Sequence, residues 1–377
     1  MSRTRAAVVG VGYSTIHREK GVDVRPLVVD ACRAAISDAG LAVRDVEGIF
    51  EYAGDEGAQD IQRMLGIENL ATYADYTARC PSAITAALGA EMAVLSGACE
   101  VALVVRSVTR EWGTMSGQRL PTAAGPAQFE LPYGVMGGVI PVMGMRKQRR
   151  LAEFGGTEDQ YAHVTVGARK WSALNERAVL RDPVTADDYF GSRFVAEPLR
   201  LLDCDYPVTG ACAVVVTTAE RAADLAQPTV LIDASSMGTG RRADWTYTPD
   251  FVFGGTQACA DTMWRKSTVT PADVDVAELY DGFTHIAISW TEALGFCGPG
   301  EFGDWVDKGD TIGPGGALPL NTTGGQLAEG RLHGLSFLAE AVLQLRGQAG
   351  VRQVPGARVS VVANGFGPQC ASMVLTR

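Results

Sequence analysis

The stretch TARCPSAITAALGAEMAVLSGACEVALVV, residues 77–105, joins a helix of small residues directly to a continuous apolar strand. Pro81 is favoured at the first position of a helix, which makes Cys80 the expected N-cap. Gly97 is expected to end the helix, because glycine tolerates the left-handed conformation of a C-terminal cap. The apolar strand that follows is typical of a sheet covered on both faces. This stretch therefore predicts an α/β fold with a cysteine at the N-terminus of a helix.

Two interpretations of Cys80 follow from its position. The positive end of a helix dipole and the free N–H groups of the first turn lower the pKa of a nearby thiol, which makes its thiolate a nucleophile. Alternatively, the thiol is a small packing residue, because free cysteine behaves as a small apolar side chain. The residues around Cys80 leave both interpretations open.

Strands and helices alternate along the rest of the chain, which predicts a largely buried sheet. The first half contains apolar strands at 5–12 and 211–220 and a helix at 26–40. The second half repeats this plan and includes a strand at 318–323 and a helix at about 334–347. The segment GACAVVVTTAERA, which closes the first half, resembles GPQCASMVLTR at the end of the second. Two similar halves indicate internal duplication.

A long insertion, residues 110–205, interrupts the first half. It is rich in Gly, Pro, Met and Arg, and it contains a predicted helix at about 157–175. Insertions of this size on an α/β scaffold are often lids that cover a substrate. A structural cap or a dimer arm is the alternative interpretation.

The composition excludes several classes of protein. The chain has 377 residues and a formal net charge of −10, which argues against generic nucleic-acid binding because that depends on basic patches. No apolar run reaches the roughly 18–20 residues of a membrane span, so no spanning helix is expected, and the scattered cysteines favour the reducing cytoplasm. The eight cysteines form no CxxC pair and no cysteine–histidine cluster, so we expect free thiols and no metal site.

The cysteine segment resembles the nucleophile segment of the thiolase superfamily, CxSG…SGxxD. The corresponding residues here are CPSA at 80–83 and SGACE at 96–100, with a similar separation. Four further stretches resemble the lipid-transfer-protein branch, which holds the sterol-carrier-protein thiolase-like enzymes. These stretches are ELYDGFTH at 278–285, ALGFCGPGEFGDWV at 293–306, LPLNTTGGQLAEGRLHG at 318–334 and VVANGFGP at 361–368.

The resemblance implies a thiolase-like five-layered αβαβα sandwich built from two duplicated βαβαβαββ halves with a loop-domain insertion. The N-terminal half is then expected to span 1–225, including the insertion 110–205. The C-terminal half is expected to span 226–377.

The resemblance also implies where the catalytic groups lie. The histidine of the thiolase GHPxG turn falls on Arg331, with His333 two places later, and the second thiolase cysteine falls on Ala363. The same branch contains the actinobacterial steroid side-chain aldolases, which cleave a β-hydroxyacyl-CoA into a ketone and a shorter acyl-CoA. Tyr280 matches the tyrosine of their ELYD segment, and their second tyrosine falls on Arg331.

Retro-aldol cleavage needs a base near the β-hydroxyl and hydrogen-bond donors around the thioester oxygen. We expect Tyr280 to be this base, with its pKa lowered by the charge of Arg331. His333 and backbone N–H groups are expected to stabilise the thioester oxygen. Asp281 either orients Tyr280 or caps the helix that begins at about 284. The expected substrate-binding residues are Asp281, Asn321, Gly324, Gly325, Asn364 and Gly365.

The sequence thus predicts an acyl-CoA carbon–carbon lyase that performs retro-aldol cleavage on a bulky, steroid-like substrate. A Cys80-dependent thiolase or acyltransferase, with His333 as base, is one alternative. A non-catalytic lipid or acyl-CoA binding protein is the other. Coenzyme A enters as part of the substrate, and no permanently bound cofactor is expected. The resemblance further implies a homodimer and a small partner protein that carries a zinc ribbon and an OB-fold.

Overall fold

The computed structural model describes residues 4–77, 82–110, 128, 139–241, 248–367 and 369–377. The elements up to the insertion are β1 (Ala6–Tyr13), α1 (Val24–Asp38), β2 (Gly48–Tyr52), α2 (Ala58–Leu65), β3 (Thr72–Tyr76), α3 (Ala83–Ser96) and β4 (Val101–Val108). The described part of the insertion contains α4 (Val139–Phe154), α5 (Asp159–Ser172), α6 (Ala186–Gly191), β5 (Phe194–Ala196) and β6 (Leu199–Arg200). The first half closes with β7 (Gly210–Thr218) and α7 (Ala219–Ala222).

The second half repeats this alternation with a further set of elements. They are β8 (Val230–Thr239), α8 (Thr256–Trp264), β9 (Val276–Leu279), α9 (Thr284–Ala293), α10 (Phe302–Trp305), α11 (Gly325–Ala328), α12 (Leu335–Arg346), β10 (Val359–Phe366) and β11 (Gln369–Thr376).

The nine long strands form a sheet in the order β3-β2-β4-β7-β1-β8-β11-β10-β9. The two halves meet where β1 pairs with β8 through Ala7–Leu231 and Val8–Val230. In the first half, β2 runs parallel to β4, β4 antiparallel to β7, and β7 antiparallel to β1. In the second half, β9 likewise runs parallel to β10, β10 antiparallel to β11, and β11 antiparallel to β8. This match is what internal duplication would produce, and the division at residue 225 remains a prediction.

Helices α3 and α12 lie between the two halves of the sheet. Helix α3 contacts β2, β4 and β7 on one side and β8 and β11 on the other, while α12 contacts β9, β10 and β7. On the outer faces, α1 packs on β1 and β7, and α8 packs on β8 and β11. The predicted five-layered αβαβα arrangement is confirmed.

Small residues allow α3 to occupy the central layer. Ala83, Ala86, Ala87 and Ala90 are fully buried, so the strands on both sides approach the helix backbone closely. The helix ends at Gly97 in the left-handed conformation, as predicted. It begins at Ala83, and the Oγ of Ser82 accepts the Ile84 N–H at 3.1 Å. The prediction that Cys80 is the N-cap is therefore wrong, because a serine hydroxyl two residues later makes the capping hydrogen bond.

The strand predicted at 318–323 does not form as a continuous element. Only an isolated parallel bridge joins Leu320 to Ala277. Asn321 has a φ of +52°, a left-handed conformation that ends the extended segment. The chain therefore turns towards α11 directly after this bridge.

The described part of the insertion packs against the second half of the protein. Helix α5 contacts α9 and α11, and Trp171 of α5 donates its indole N–H to the Ile312 carbonyl at 2.9 Å. Whether the insertion is a lid, a cap or a dimer arm stays open. Among the residues that the structure describes, no helix is long and apolar enough to cross a membrane.

Candidate active site

Tyr280 and Asp281 directly follow β9, the terminal strand of the second half of the sheet. The Tyr280 N–H donates to the Ala363 carbonyl at 2.8 Å, so the backbone stays attached to β10. A Cβ atom on Gly282 would lie 2.6 Å from the Tyr280 hydroxyl oxygen. Glycine at 282 therefore allows the tyrosine to fold back over its own turn.

Asn321 fixes the strand end that precedes Tyr280. Its Oδ1 accepts the Leu279 N–H at 2.7 Å, and its Nδ2 donates to the Leu279 carbonyl at 2.8 Å. The side chain thus pairs with β9 as a further strand would. Direct contact between Asn321 and substrate remains a prediction.

Asp281 is fully buried and binds the start of α11. Its Oδ1 accepts the Gln326 N–H at 2.8 Å. The alternative role, capping the helix that begins at Thr284, is not observed, because Phe283 is the N-cap there and makes no side-chain capping bond. Burial raises the pKa of Asp281 to about 7, although its hydrogen bonds oppose this shift.

Replacing Gly325 by Ala is expected to disturb this part of the site. Gly325 has a φ of +60°, and a Cβ atom there would lie 1.9 Å from Oδ2 of Asp281. We expect the free energy of unfolding to fall by about 1–3 kcal/mol. We also expect lower kcat, because the new methyl group displaces Asp281. Urea unfolding and steady-state kinetics measure the two effects.

Gly347→Ala is the matched control for this substitution. Gly347 also has a positive φ, +76°, but a Cβ atom there would have no neighbour within 4 Å. It therefore isolates the cost of the backbone conformation from the collision with Asp281. Equal losses of stability and activity in the two variants would contradict the predicted collision.

The backbone N–H groups expected to bind the thioester oxygen already have acceptors. Gly324 donates to the Asn321 carbonyl at 2.8 Å, Gly325 to Thr323 Oγ1 at 3.3 Å, and Gly365 to Asn364 Oδ1 at 2.6 Å. The Nδ2 of Asn364 is instead buried without a hydrogen-bond partner among the described residues. A Cβ atom on Gly334 would lie only 1.7 Å from it, so this donor lies beside the turn that carries His333.

Arg331 forms an ion pair with Asp205, a residue that the sequence reasoning missed. Arg331 Nη1 lies 3.4 Å from Asp205 Oδ1, and the two side chains are 14% and 8% exposed. The Asp205 N–H donates to the Gly282 carbonyl at 3.1 Å, which ties the end of the insertion to the Tyr280 turn. Burial raises the pKa of Asp205 to about 6, although Arg331 opposes the shift. The sequence feature that could have identified Asp205 is its position as a carboxylate in the short segment LLDCDYP, residues 201–207.

His333 lies between two tyrosines from different halves of the protein. Its ring stacks on Tyr52 at a centroid distance of 5.8 Å and meets Tyr280 edge-on, also at 5.8 Å. Burial and the charges of Arg106 and Arg331 hold the pKa of His333 well below its ordinary value, so the imidazole is neutral at pH 7. The predicted convergence of His333 and Tyr280 in one site is therefore observed.

Tyr52 was also missed by the sequence reasoning. It ends β2, and Tyr280 directly follows β9, which occupies the equivalent position in the second half of the sheet. The segments read EYAG at 51–54 and LYDG at 279–282, so the similarity of the two halves was the signal that could have identified Tyr52. Arg106 holds it by donating to the Tyr52 carbonyl at 2.6 Å.

The pKa of Tyr280 is raised, so its hydroxyl carries its proton at neutral pH, and its role in catalysis remains a prediction. Burial and the nearby Asp205 carboxyl raise the pKa of Tyr280, and together they outweigh the lowering effect of Arg331. The expectation that Arg331 lowers the pKa of Tyr280 overall is therefore wrong. The main physical reason is that burial disfavours the charged form of Tyr280, and the Asp205 carboxylate in addition compensates the arginine charge.

Cys80, the candidate nucleophile of the alternative thiolase reaction, lies outside the described residues. The helix that follows it begins at Ala83 in the central layer, and β2 with Tyr52 lies against that helix. Its role as a nucleophile or as a packing residue remains a prediction.

Comparison with known proteins gives consistent results along the whole chain. Residues 239–377 match the family model described as thiolase C-terminal domain-like. The chain is 35% identical to the 17-hydroxy-3-oxo-4-pregnene-20-carboxyl-CoA lyase of Mycobacterium tuberculosis, covering 98% of this chain and 99% of that protein. It is 32% identical to a steroid side-chain-cleaving aldolase of Thermomonospora curvata, covering 98% and 97% of the two chains.

A solved structure gives the same result for the three-dimensional fold. The Ltp2–ChsH2(DUF35) aldolase matches with a TM-score of 0.90 and 31% sequence identity, covering 99% of this chain and 97% of that chain. The similarity therefore includes both halves and the insertion.

Proposed function

This chain belongs to the thiolase superfamily, in the lipid-transfer-protein branch, and from that premise we propose that it cleaves a carbon–carbon bond beside a coenzyme A thioester. The reaction is a retro-aldol cleavage of a bulky, steroid-like β-hydroxyacyl-CoA to a ketone and a shorter acyl-CoA. Full-length similarity to two proteins named as a carboxyl-CoA lyase and a steroid side-chain-cleaving aldolase supports this function.

The arrangement of the site fits this reaction better than thiolysis. Retro-aldol cleavage generates an enolate that must be stabilised at its oxygen and protonated at its α-carbon. Tyr280, held neutral by its surroundings, has the proton to give. The Nδ2 of Asn364 has no hydrogen-bond acceptor among the residues described, and it is proposed to stabilise the thioester oxygen. The positions at which thiolases carry their histidine and second cysteine hold Arg331 and Ala363.

Product analysis tests the reaction directly. Purified protein, alone and with its partner protein, is incubated with β-hydroxyacyl-CoA and β-ketoacyl-CoA thioesters, and the products are identified by mass spectrometry. We expect one ketone and one shorter acyl-CoA per β-hydroxyacyl-CoA consumed, without consumption of free coenzyme A. Consumption of free coenzyme A that is lost in Cys80→Ala would indicate a thiolase instead. Absence of turnover on every thioester would favour a binding protein.

The proposed site uses no resident cofactor, because both proton transfers can occur between side chains. Coenzyme A takes part only as the thioester group of the substrate. The protein is proposed to work in the cytoplasm, a location that the seven free thiols of the described residues support.

A partner protein is proposed by analogy with the matched aldolase structure, which pairs Ltp2 with ChsH2(DUF35). For this chain we propose a small partner that carries a zinc ribbon and an OB-fold. Co-purification of the two proteins from a joint expression, with higher turnover than the chain alone, is the expected result.

A homodimer is proposed through the free edge of the sheet. Strand β3 is the terminal strand, and Tyr73 on it is 51% exposed. Met92 on the neighbouring helix α3 is 60% exposed, although most of that helix is buried. Strand β3 pairs with β2 on one side only among the described strands, and such an edge beside exposed apolar side chains is a suitable surface for a second copy. Light scattering is expected to give twice the chain mass, and Met92→Glu is expected to shift it towards the monomer. A monomeric wild type would contradict the dimer.

A further inference from the structure

We propose that Asp205 is the general base of this reaction and that Tyr280 is its acid partner. In this assignment the Asp205 carboxylate accepts the proton of the β-hydroxyl, while the Tyr280 hydroxyl delivers a proton to the α-carbon of the enolate. The inference rests on the proposed retro-aldol function and names the residue that the function leaves unassigned.

A backbone hydrogen bond links Asp205 to Gly282, which lies two residues after Tyr280. Asp205 donates its N–H to the Gly282 carbonyl at 3.1 Å, and Gly282 is the residue against which the Tyr280 hydroxyl packs. The hydroxyl and the carboxyl therefore belong to one small cluster, although they come from segments 75 residues apart in sequence (280 − 205). Arg331 fixes the carboxyl from the other side at 3.4 Å.

The charged and titratable groups around Asp205 favour this division of roles. Arg331 faces its carboxyl from the turn before α12, Tyr280 and Asp281 face it from the end of β9, and Cys204 precedes it in the chain. The pKa of Asp205 is raised to about 6, which leaves it ionised at pH 7 but close to the pH at which a base is most effective. The pKa of Tyr280 is raised above its ordinary value. At pH 7 the Asp205 carboxyl is therefore ionised and can act as a base, while the Tyr280 hydroxyl is protonated and can act as an acid.

Other groups in the site are less suited to accept this proton. Asp281 is fully buried and its Oδ1 already binds the N–H of Gln326. His333 has a pKa well below its ordinary value, because burial and two arginine charges disfavour its protonated form. Asp205 lies in the same cluster with Arg331 as its ion-pair partner, and 8% of its side chain is exposed.

The proposed cycle balances without a further reactant. The O–H bond of the β-hydroxyl breaks and its proton moves to Asp205, while the α–β carbon bond breaks and its electron pair enters the thioester enolate. The ketone is formed at the former β-carbon. Tyr280 then gives its proton to the α-carbon, and the resulting tyrosinate recovers a proton from Asp205. The two residues thereby return to their starting states.

The test compares Asp205→Asn with the wild type on a substrate that the wild type cleaves. Loss of a general base is expected to lower kcat by about 10²- to 10³-fold. KM is expected to change less than threefold, because the asparagine keeps the size of the side chain. The wild-type kcat should rise with pH through an acid limb near 6, since the base must be ionised, and Asp205→Asn should lack this limb.

Arg331→Gln tests the assignment through the pH dependence of kcat, which would not shift if the ion pair between Arg331 and Asp205 were only structural. Arg331 lowers the pKa of Asp205, so removing its charge should raise that pKa and move the acid limb of kcat to higher pH. Asp205→Glu should recover part of the lost activity and restore an acid limb. If Asp205→Asn fails to fold, as judged by circular dichroism, the shifted limb in Arg331→Gln decides the question alone.

The outcomes separate this inference from the proposed function. A wild type that cleaves β-hydroxyacyl-CoA, with Asp205→Asn within threefold of its kcat, would overturn Asp205 as the base and leave the lyase intact. An acid limb that stays in place in Arg331→Gln would overturn it as well. A wild type that cleaves no β-hydroxyacyl-CoA would overturn the lyase and with it the role of Asp205.

Discussion

Tyr280→Phe is expected to lower kcat by about 10³-fold, which is within the range for loss of a positioned acid or base. The substitution removes one hydroxyl from a tyrosine that is kept protonated beside Asp205 and His333. Phenylalanine keeps the ring that meets His333 edge-on, so the fold and KM should change little. Steady-state kinetics on the cleaved β-hydroxyacyl-CoA, together with thermal melting, measures both effects.

Tyr161→Phe is the matched control for Tyr280→Phe. Tyr161 is a fully buried tyrosine that lies in helix α5 of the insertion, outside the site. Its hydroxyl has no hydrogen-bond partner among the described residues, so its removal should leave kcat and stability nearly unchanged. Equal activity in the two phenylalanine variants would show that Tyr280 transfers no proton.

The second large effect is expected from Asp203→Ala, which should lower the free energy of unfolding by about 3–5 kcal/mol. Asp203 and Lys147 form an ion pair of 2.9 Å, and both side chains are fully buried. Asp203 Oδ1 also accepts the Tyr189 hydroxyl at 2.8 Å. Removing the carboxylate leaves the Lys147 ammonium in the core without its counter-charge. Urea unfolding measures the loss.

Asp310→Ala is the control for that substitution. Asp310 pairs with Lys170 at 3.3 Å, but the two side chains are 79% and 43% exposed. An ion pair in contact with water contributes about 0–1 kcal/mol, so this variant should unfold almost as the wild type does. A loss in Asp203→Ala no larger than that of Asp310→Ala would contradict a structural role for the buried pair.

The buried Lys147–Asp203 pair also helps to hold Asp205, the site residue at the end of the insertion, in place. Asp203 bonds the hydroxyl of Thr284, the first residue of α9, and thereby fastens the end of the insertion to the second half. Asp205 follows two residues later and reaches the Gly282 carbonyl. We therefore expect Asp203→Ala to lower kcat even under conditions in which most of the protein remains folded, because the position of Asp205 depends on this attachment.

Sequence reasoning identified most of the residues that meet in the site, and its errors have physical causes. Tyr280, Asp281 and Arg331 were located because the segments that carry them resemble short motifs of the thiolase superfamily. Tyr280 was expected to be a base because the charge of Arg331 was considered without that of Asp205. The balance of two opposite charges depends on distances between remote segments, which no local motif contains.

The predicted oxyanion donors illustrate the same difficulty. Gly324 and Gly325 lie where the chain turns into α11, whereas Gly365 lies within β10. Their N–H groups, however, bond to neighbouring acceptors, whereas the Asn364 Nδ2 has no acceptor within the part of the chain that the structure describes. A glycine pattern predicts where the backbone turns, but it does not predict whether the N–H groups remain free.

The sequence by itself determined the alternation of strands and helices, the similarity of the two halves and the central position of α3. These properties follow from the spacing of apolar residues and from small residues and glycines that act within one segment. Tertiary structure alone decided that Asp205 joins Arg331 and Tyr280, and that Tyr52 lies against His333. Both outcomes require chain segments far apart in sequence to be buried together, and burial and opposing charges then set the pKa values of the groups.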